Sequence, residues 1–120
     1  MKILRKVIIM PVLKTESVAA VSAGPGVLRR VLAYGPNIMC VEFTYEKGGI
    51  GAVHAHPHEQ FGYISRGRFE LEEGGVKTVV GEGDTYYIPP NIPHGAVALE
   101  AGIIVDGFTP IREDFIGKSV

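Results

Sequence analysis

The four histidines of this chain stand in two places: His54, His56 and His58 occupy every second position of one short stretch, and His94 follows directly on Pro89-Pro90-Asn91-Ile92-Pro93. Residues two apart on a strand project from one face, so His54 and His56 can hold one metal ion between them, each through a neutral imidazole nitrogen. Gln60 keeps the same parity. A single histidine in a β-protein is more often a hydrogen-bonded structural group than a ligand, and it is the joint pattern that turns the reading toward a metal centre. His58 shares the parity, but Pro57 bends the strand before it, so its place is harder to read. Glu59 should face away.

An acid and a cation stand further along. Asp106 interrupts the apolar run Ile103-Ile104-Val105 and shares a face with Phe108. Pointing inward, its carboxyl would sit among apolar groups, which raises a carboxyl pKa and suits proton shuttling. Asp106-Gly107 is equally a hairpin signal, and the residues alone weigh the two readings alike. Phe108 by itself reads as core. Arg112 falls in the first turn of a short tail helix, where the helix dipole disfavours a cation; a bidentate grip on a carboxylate, or a surface pair with Glu113 or Asp114, would account for it. Of the adjacent Arg29 and Arg30, parity turns one inward at most, and solvated positions are expected for both. Tyr34, Tyr45, Tyr63, Tyr86 and Tyr87 could offer hydroxyls to a ligand, although barrel tyrosines mostly pack with the oxygen near the rim.

Strands must position these groups. The chain has 120 residues, enough for one domain over 1–120 and too few for a second catalytic module. Its 46% hydrophobic and 21% charged residues can bury a modest core. Sixteen Gly and eight Pro are spread along the chain and punctuate many short elements. Strands are expected over Val27–Tyr34, Ile38–Tyr45, Gly51–His56, Gln60–Arg66, Gly67–Glu73, Val76–Val80, Thr85–Ile88, Ala96–Ala101 and Ile103–Thr109. Phe69-Glu70-Leu71-Glu72 alternates apolar with charged residues, which marks a sheet with one dry face. Thr109 can cap and Pro110 open a turn of helix through Ile111 to Phe115. The whole is all-β with a helical turn at the tail, and so many short strands favour a closed barrel or jelly roll, whose mouth is the natural pocket.

Charge and cysteine content narrow the partners. Twelve Lys and Arg against thirteen Asp and Glu give a net charge of -1, so no basic field draws a polyanion and no nucleic acid is expected. Cys40 is the only cysteine, which forbids an internal disulfide and reads as a buried, reduced thiol in a reducing cytoplasm. Lys2, Arg5 and Lys6 precede the apolar run Val7 to Leu13, but Pro11 interrupts it and Lys14 and Glu16 follow. That segment reads as an opening strand rather than a secretory leader, and it is too short to span a bilayer, so no membrane partner is expected. Left in a monomer, an apolar strand of this kind would be exposed, and a homodimer with paired or swapped edges is expected.

Two gapped motifs carry a resemblance. Gly48, five residues, His54-Ala55-His56, three residues, Gln60, six residues and Gly67 resemble the first motif of the cupin superfamily, with Gln60 where many members have Glu. Gly83, five residues, Pro89, one residue, Asn91, two residues and His94 resemble the second, with Asn91 replacing the usual Gly and Ala98 the usual Asn. The stretches His54 to Gln60, Tyr87 to Gly95 and Asp106 to Phe115, together with Leu32-Ala33-Tyr34-Gly35, are similar to the KdgF family of small pectin-degradation cupins. The resemblance runs from about Val31 to Phe115. It implies a double-stranded β-helix over 27–110, with residues 1–26 as an N-terminal strand and connection and 111–120 as a tail. It further implies one divalent metal held by His54, His56, Gln60 and His94, with Asp106, Phe108 and Arg112 on the substrate side. The activity implied is the linearisation of 4,5-unsaturated monouronates, so that the partner is a small anionic sugar.

Three neutral imidazoles and a neutral carboxamide would leave a divalent ion's charge uncompensated, so the ion would stay a strong Lewis acid and attract a uronate carboxylate. Such donors suit nickel or zinc first, and also iron, manganese or copper. Two other activities fit a cupin. One is a metal-dependent dioxygenase, which the neutral Gln60 disfavours because non-haem iron enzymes commonly supply a carboxylate. The other is a non-catalytic sugar-binding or sensing module.

Overall fold

Strict alternation builds the walls. In the strand Glu59–Arg66, Gln60, Gly62 and Ile64 are buried while Phe61 and Tyr63 face outward. In Gly102–Thr109, Ile104, Asp106 and Phe108 take the buried side. Period-two burial of this kind requires a second layer on the buried side. The computed structural model of the protein, which describes residues 12–116, supplies it.

The strands are β1 (Val21–Gly24), β2 (Val27–Tyr34), β3 (Met39–Tyr45), β4 (Ile50–His54), β5 (Glu59–Arg66), β6 (Arg68–Glu73), β7 (Val76–Gly81), β8 (Thr85–Ile88), β9 (His94–Ala98) and β10 (Gly102–Thr109). Two antiparallel sheets face each other, one of order β1-β2-β3-β10-β5-β8 and one of order β4-β9-β6-β7. Tight 3-10 turns cover Thr15–Ser17 and Glu113–Phe115. This is the jelly-roll architecture of a double-stranded β-helix.

The core lies between the sheets in two parts. Val27, Tyr45, Ile64, Phe69, Leu71, Val80, Ala96, Ala98 and Ile104 form the larger. Phe69 has no exposed surface and stacks edge-on against Tyr45 at 5.0 Å, so truncating it to Ala should cost about 3–5 kcal/mol. Met39, Val41 and Phe108 form the smaller, which Ile111, Phe115 and Ile116 of the tail cover.

Several expectations are revised. β4 ends at His54, so His56 stands on the following loop and strand parity is not what aligns the two rings. β9 begins at His94 and ends at Ala98, earlier at both ends than Ala96–Ala101. Asp106 and Gly107 are mid-strand and fully paired to β3 and β5, which rules out the hairpin reading. The tail has no helix from Ile111: Thr109 closes β10, its bond to Pro110 is cis, and only Glu113–Phe115 turn, with Arg112 as an N-cap that makes no side-chain capping bond. β1 adds a strand at Val21–Gly24, where four residues, three of them small, give too short a pattern to read. Cys40 is half-buried rather than buried, and burial pushes its thiol pKa up. The expected opening strand at Val7 to Leu13 falls almost entirely outside the described residues; the expectation of a homodimer rests on it. Among the described residues no helix is long and apolar enough to cross a membrane.

Candidate metal centre and active site

One row across the larger sheet sets the site. Register places Val41, Asp106, Gly62 and Tyr86 side by side on β3, β10, β5 and β8. Because Gly62 has no side chain, the Tyr86 ring lies across it; a Cβ there would run into that ring. The Tyr86 hydroxyl thereby reaches Asp106 and donates to Oδ1 at 2.6 Å. The next row is Met39, Phe108, Gln60 and Ile88, which sets Gln60 beside the acid.

The opposite sheet brings histidines. His54 closes β4, His94 opens β9, and the two residues are register partners. His56 is tied in by its loop: the Asn91 N–H donates to the His56 carbonyl at 2.7 Å, linking the two histidine-bearing segments. Asn91 has φ +66, the left-handed region that Asn tolerates better than most residues, so it can stand where the cupin motif usually has Gly. Candidate ligand atoms of His54, His56 and His94 lie within 4.8 Å of one another.

Their hydrogen bonds suit a cation. Nδ1–H of His54 donates to the Ala52 carbonyl at 2.9 Å, and Nδ1–H of His94 to the Ile92 carbonyl at 2.8 Å. Each leaves Nε2 as the lone-pair nitrogen, the way a metal-binding imidazole is oriented by its other nitrogen. His94 Nε2 is buried and has no hydrogen-bond partner among the described residues. Nε2 of His56 lies 2.9 Å from Oε1 of Gln60, about the separation of two donors at right angles around an ion roughly 2.1 Å from each. Burial drops the His94 pKa to about 4, and burial also lowers that of His56, so both rings are neutral and able to donate lone pairs. The three histidines can hold a metal ion, and the donor set fits a divalent transition metal.

These groups, His56 excepted, face one cavity of about 250 Å³ between the sheets. His54, Gln60 and His94 line it, as do Tyr86, Asp106, Phe108 and Arg112. Asp106 is 4% exposed. Burial pushes its carboxyl up to about 7, against the lowering influence of the Tyr86 hydroxyl, the Gln60 amide and the Arg112 cation. A carboxyl held there exchanges its proton near neutral pH. Arg112 is also buried, and both of its expected roles meet in one geometry: it lines the cavity, while Nε and Nη2 donate to Asp114 at 3.0 and 2.8 Å. Its guanidinium lies 5.3 Å from the Phe108 ring and 4.1 Å from that of Phe115.

The structure thus gathers all seven residues singled out in the sequence. His58 turns away: its Nε2 lies 3.1 Å from the Ile111 carbonyl, so it anchors the tail rather than entering the cavity. Glu59 faces outward as expected and accepts from the Tyr87 hydroxyl at 2.6 Å. Two residues escaped sequence reasoning. Tyr86 works from inside the barrel, and only its cross-strand register with a glycine would have singled it out. Arg29, expected in solvent, lines the cavity, whereas Arg30 turns away to Glu42 at 3.4 Å.

Fold and site together define a small cupin with a potential metal centre of three histidines. The Cupin domain family model matches residues 41–105. The chain is 37% identical over 95 residues to the pectin degradation protein KdgF of Dickeya dadantii, a match covering 78% of this chain and 86% of that one. Among solved structures it is similar to KdgF from Halomonas sp. (TM-score 0.83, 34% identity, 88% of this chain and 97% of the other). It is also similar to an RmlC-like cupin from Shewanella frigidimarina (TM-score 0.84, 37% identity, 88% and 96% covered). The chain belongs to the cupin family, and within it is a KdgF-like cupin.

Proposed function

We propose that the protein is an isomerase-like enzyme that converts 4,5-unsaturated monouronates, the products of pectin or alginate breakdown, to the linear keto uronate. The observation that carries the reading is the buried Asp106 carboxyl, fixed by Tyr86 in a cavity that Arg112 and two of the three clustered imidazoles, His54 and His94, also line. Likeness to proteins named for pectin degradation supports the substrate class.

The reaction is an isomerisation and needs only proton movement. The anomeric O–H loses its proton, the C1 to ring-oxygen bond breaks as an aldehyde forms at C1, and the ring oxygen leaves as the enolate oxygen of C5. The enolate then takes a proton at C4 and becomes the ketone. Asp106 accepts the first proton and returns one at C4, while the Tyr86 hydroxyl holds the carboxyl in place. Phe108 walls the cavity and keeps water from the acid. Arg112 sets a positive charge beside a substrate that carries a carboxylate throughout. His54, His56, Gln60 and His94 would hold the divalent ion, with nickel or zinc suiting the donors best. When bound, it supplies Lewis acidity that stabilises negative charge on an adjacent oxygen.

The test follows the near-ultraviolet band of the carboxylate-conjugated double bond when purified protein meets unsaturated monouronate. Loss of the band well above the spontaneous rate, suppressed by a chelator, is the expected result. A rate equal to the spontaneous one with metal-loaded protein overturns the proposal.

A further inference from the structure

Arg29 sits on β2 with its guanidinium carbon 4.1 Å above the Phe115 ring, and Arg112 stands over the same ring at the same distance. Both cations line the cavity. Asp114 is the carboxylate nearest to this pair in effect: it is hydrogen-bonded by Arg112 and acts through space on Arg29. Asp106 shares the cavity, which Phe43, Phe108 and Phe115 wall, and acts through space on Arg112, but neither carboxylate is hydrogen-bonded to Arg29. The two arginines also differ in what they have left to give. Arg112 has committed Nε and Nη2, one full edge of its fork, to Asp114. Arg29 has made no such commitment: its Nε is buried and has no hydrogen-bond partner among the described residues. Leaving a buried charged donor unpaired is costly, and a planar fork of this kind is matched in shape by a carboxylate.

We infer that Arg29 is the specificity residue that binds the substrate's carboxylate, with Arg112, one edge of whose fork is held by Asp114, acting as a second charge beside it. This rests on the uronate reading above and deepens it. The enzyme should select acids over their neutral esters, because the ester offers Arg29 no charge and only a weaker acceptor. Phe115 serves as the platform that keeps the two guanidiniums apart and oriented, since a ring face attracts a cation on either side.

The test is kinetic and uses metal-loaded protein with unsaturated monouronate and its methyl ester. Arg29→Met keeps an apolar stem over Phe115 but removes the charge. It is expected to raise KM for the acid roughly 10- to 100-fold, the worth of a hydrogen bond to a charged group, while kcat falls far less. KM for the ester should be the same in parent and variant, and Arg29→Lys should recover part of the loss on the acid. Equal rises in KM for acid and ester would mean a distorted pocket and overturn the assignment, as would an unchanged KM for the acid in Arg29→Met. Normal parent turnover with an indifferent Arg29→Met sinks this inference alone. A parent inert on both compounds sinks the uronate reading and this inference with it.

Discussion

Asp106 is the residue on which the chemistry turns, and its surroundings make separable demands. Asp106→Asn keeps the shape and the hydrogen bond to Tyr86 but cannot exchange a proton. It should lower kcat by roughly 100-fold or more while metal content, read by elemental analysis, stays at one ion per chain. Tyr86→Phe leaves the carboxyl ionisable and removes the 2.6 Å bond that orients it, so a loss of about 10-fold is expected, mainly in kcat. Should Asp106→Asn turn over at the parental rate, the proton shuttle lies elsewhere. The sequence drew attention to Asp106 as an acid amid Ile103-Ile104-Val105, but its residues allowed an inward acid and a hairpin turn alike, and the cupin resemblance decided between them. Tyr86 and Arg29 drew no such attention. A tyrosine in a strand is unremarkable, and parity cannot say which of two adjacent arginines faces in until the strand's partners are known.

At the scale of elements, the site depends on what β5 leaves out. Gly62 provides the gap through which Tyr86 crosses from β8 to Asp106 on β10, and a methyl group there would collide with the Tyr86 ring. Gly62→Ala should therefore displace that ring, cost about 1–3 kcal/mol of stability in chemical denaturation, and lower turnover as Tyr86→Phe does. The two losses should not add in Gly62→Ala/Tyr86→Phe, because the double variant has already forfeited the hydrogen bond. A parental denaturation midpoint in Gly62→Ala would show that the ring is not confined. Most strands were legible from alternation and turn residues. The exceptions have physical causes: β1 is too short and its side chains too small to announce it, and His56 is aligned by a backbone bond from Asn91 that no periodicity encodes.

For the whole molecule, the candidate metal site draws on both sheets, since His54 and His94 belong to the smaller and Gln60, the proposed fourth ligand, to the larger. An ion binding the folded state and not the unfolded chain stabilises by mass action, about 2.7 kcal/mol at a hundredfold excess over Kd. Removing it with a chelator should lower the thermal midpoint by on the order of 10 °C, and His94→Ala should abolish the difference between loaded and stripped protein. An unchanged midpoint on stripping would count against a cage shared by both sheets. The fold class was readable because two motifs and a strand rhythm agreed. The tail was not: with no cap at Thr109, Arg112 is held by Asp114 and the faces of Phe108 and Phe115, contacts between near neighbours that follow no helical or strand period.

Proton magnetic resonance of the reaction in heavy water tests the central claim most directly, since it reports both the bond broken and the origin of the new hydrogen. Metal-loaded protein should convert unsaturated monouronate, faster than it rearranges unaided, into an open-chain keto uronate carrying deuterium at C4 and all six carbons. A product short of a carbon, consumption of dissolved oxygen, or a time course no faster than that of the sugar alone would contradict it.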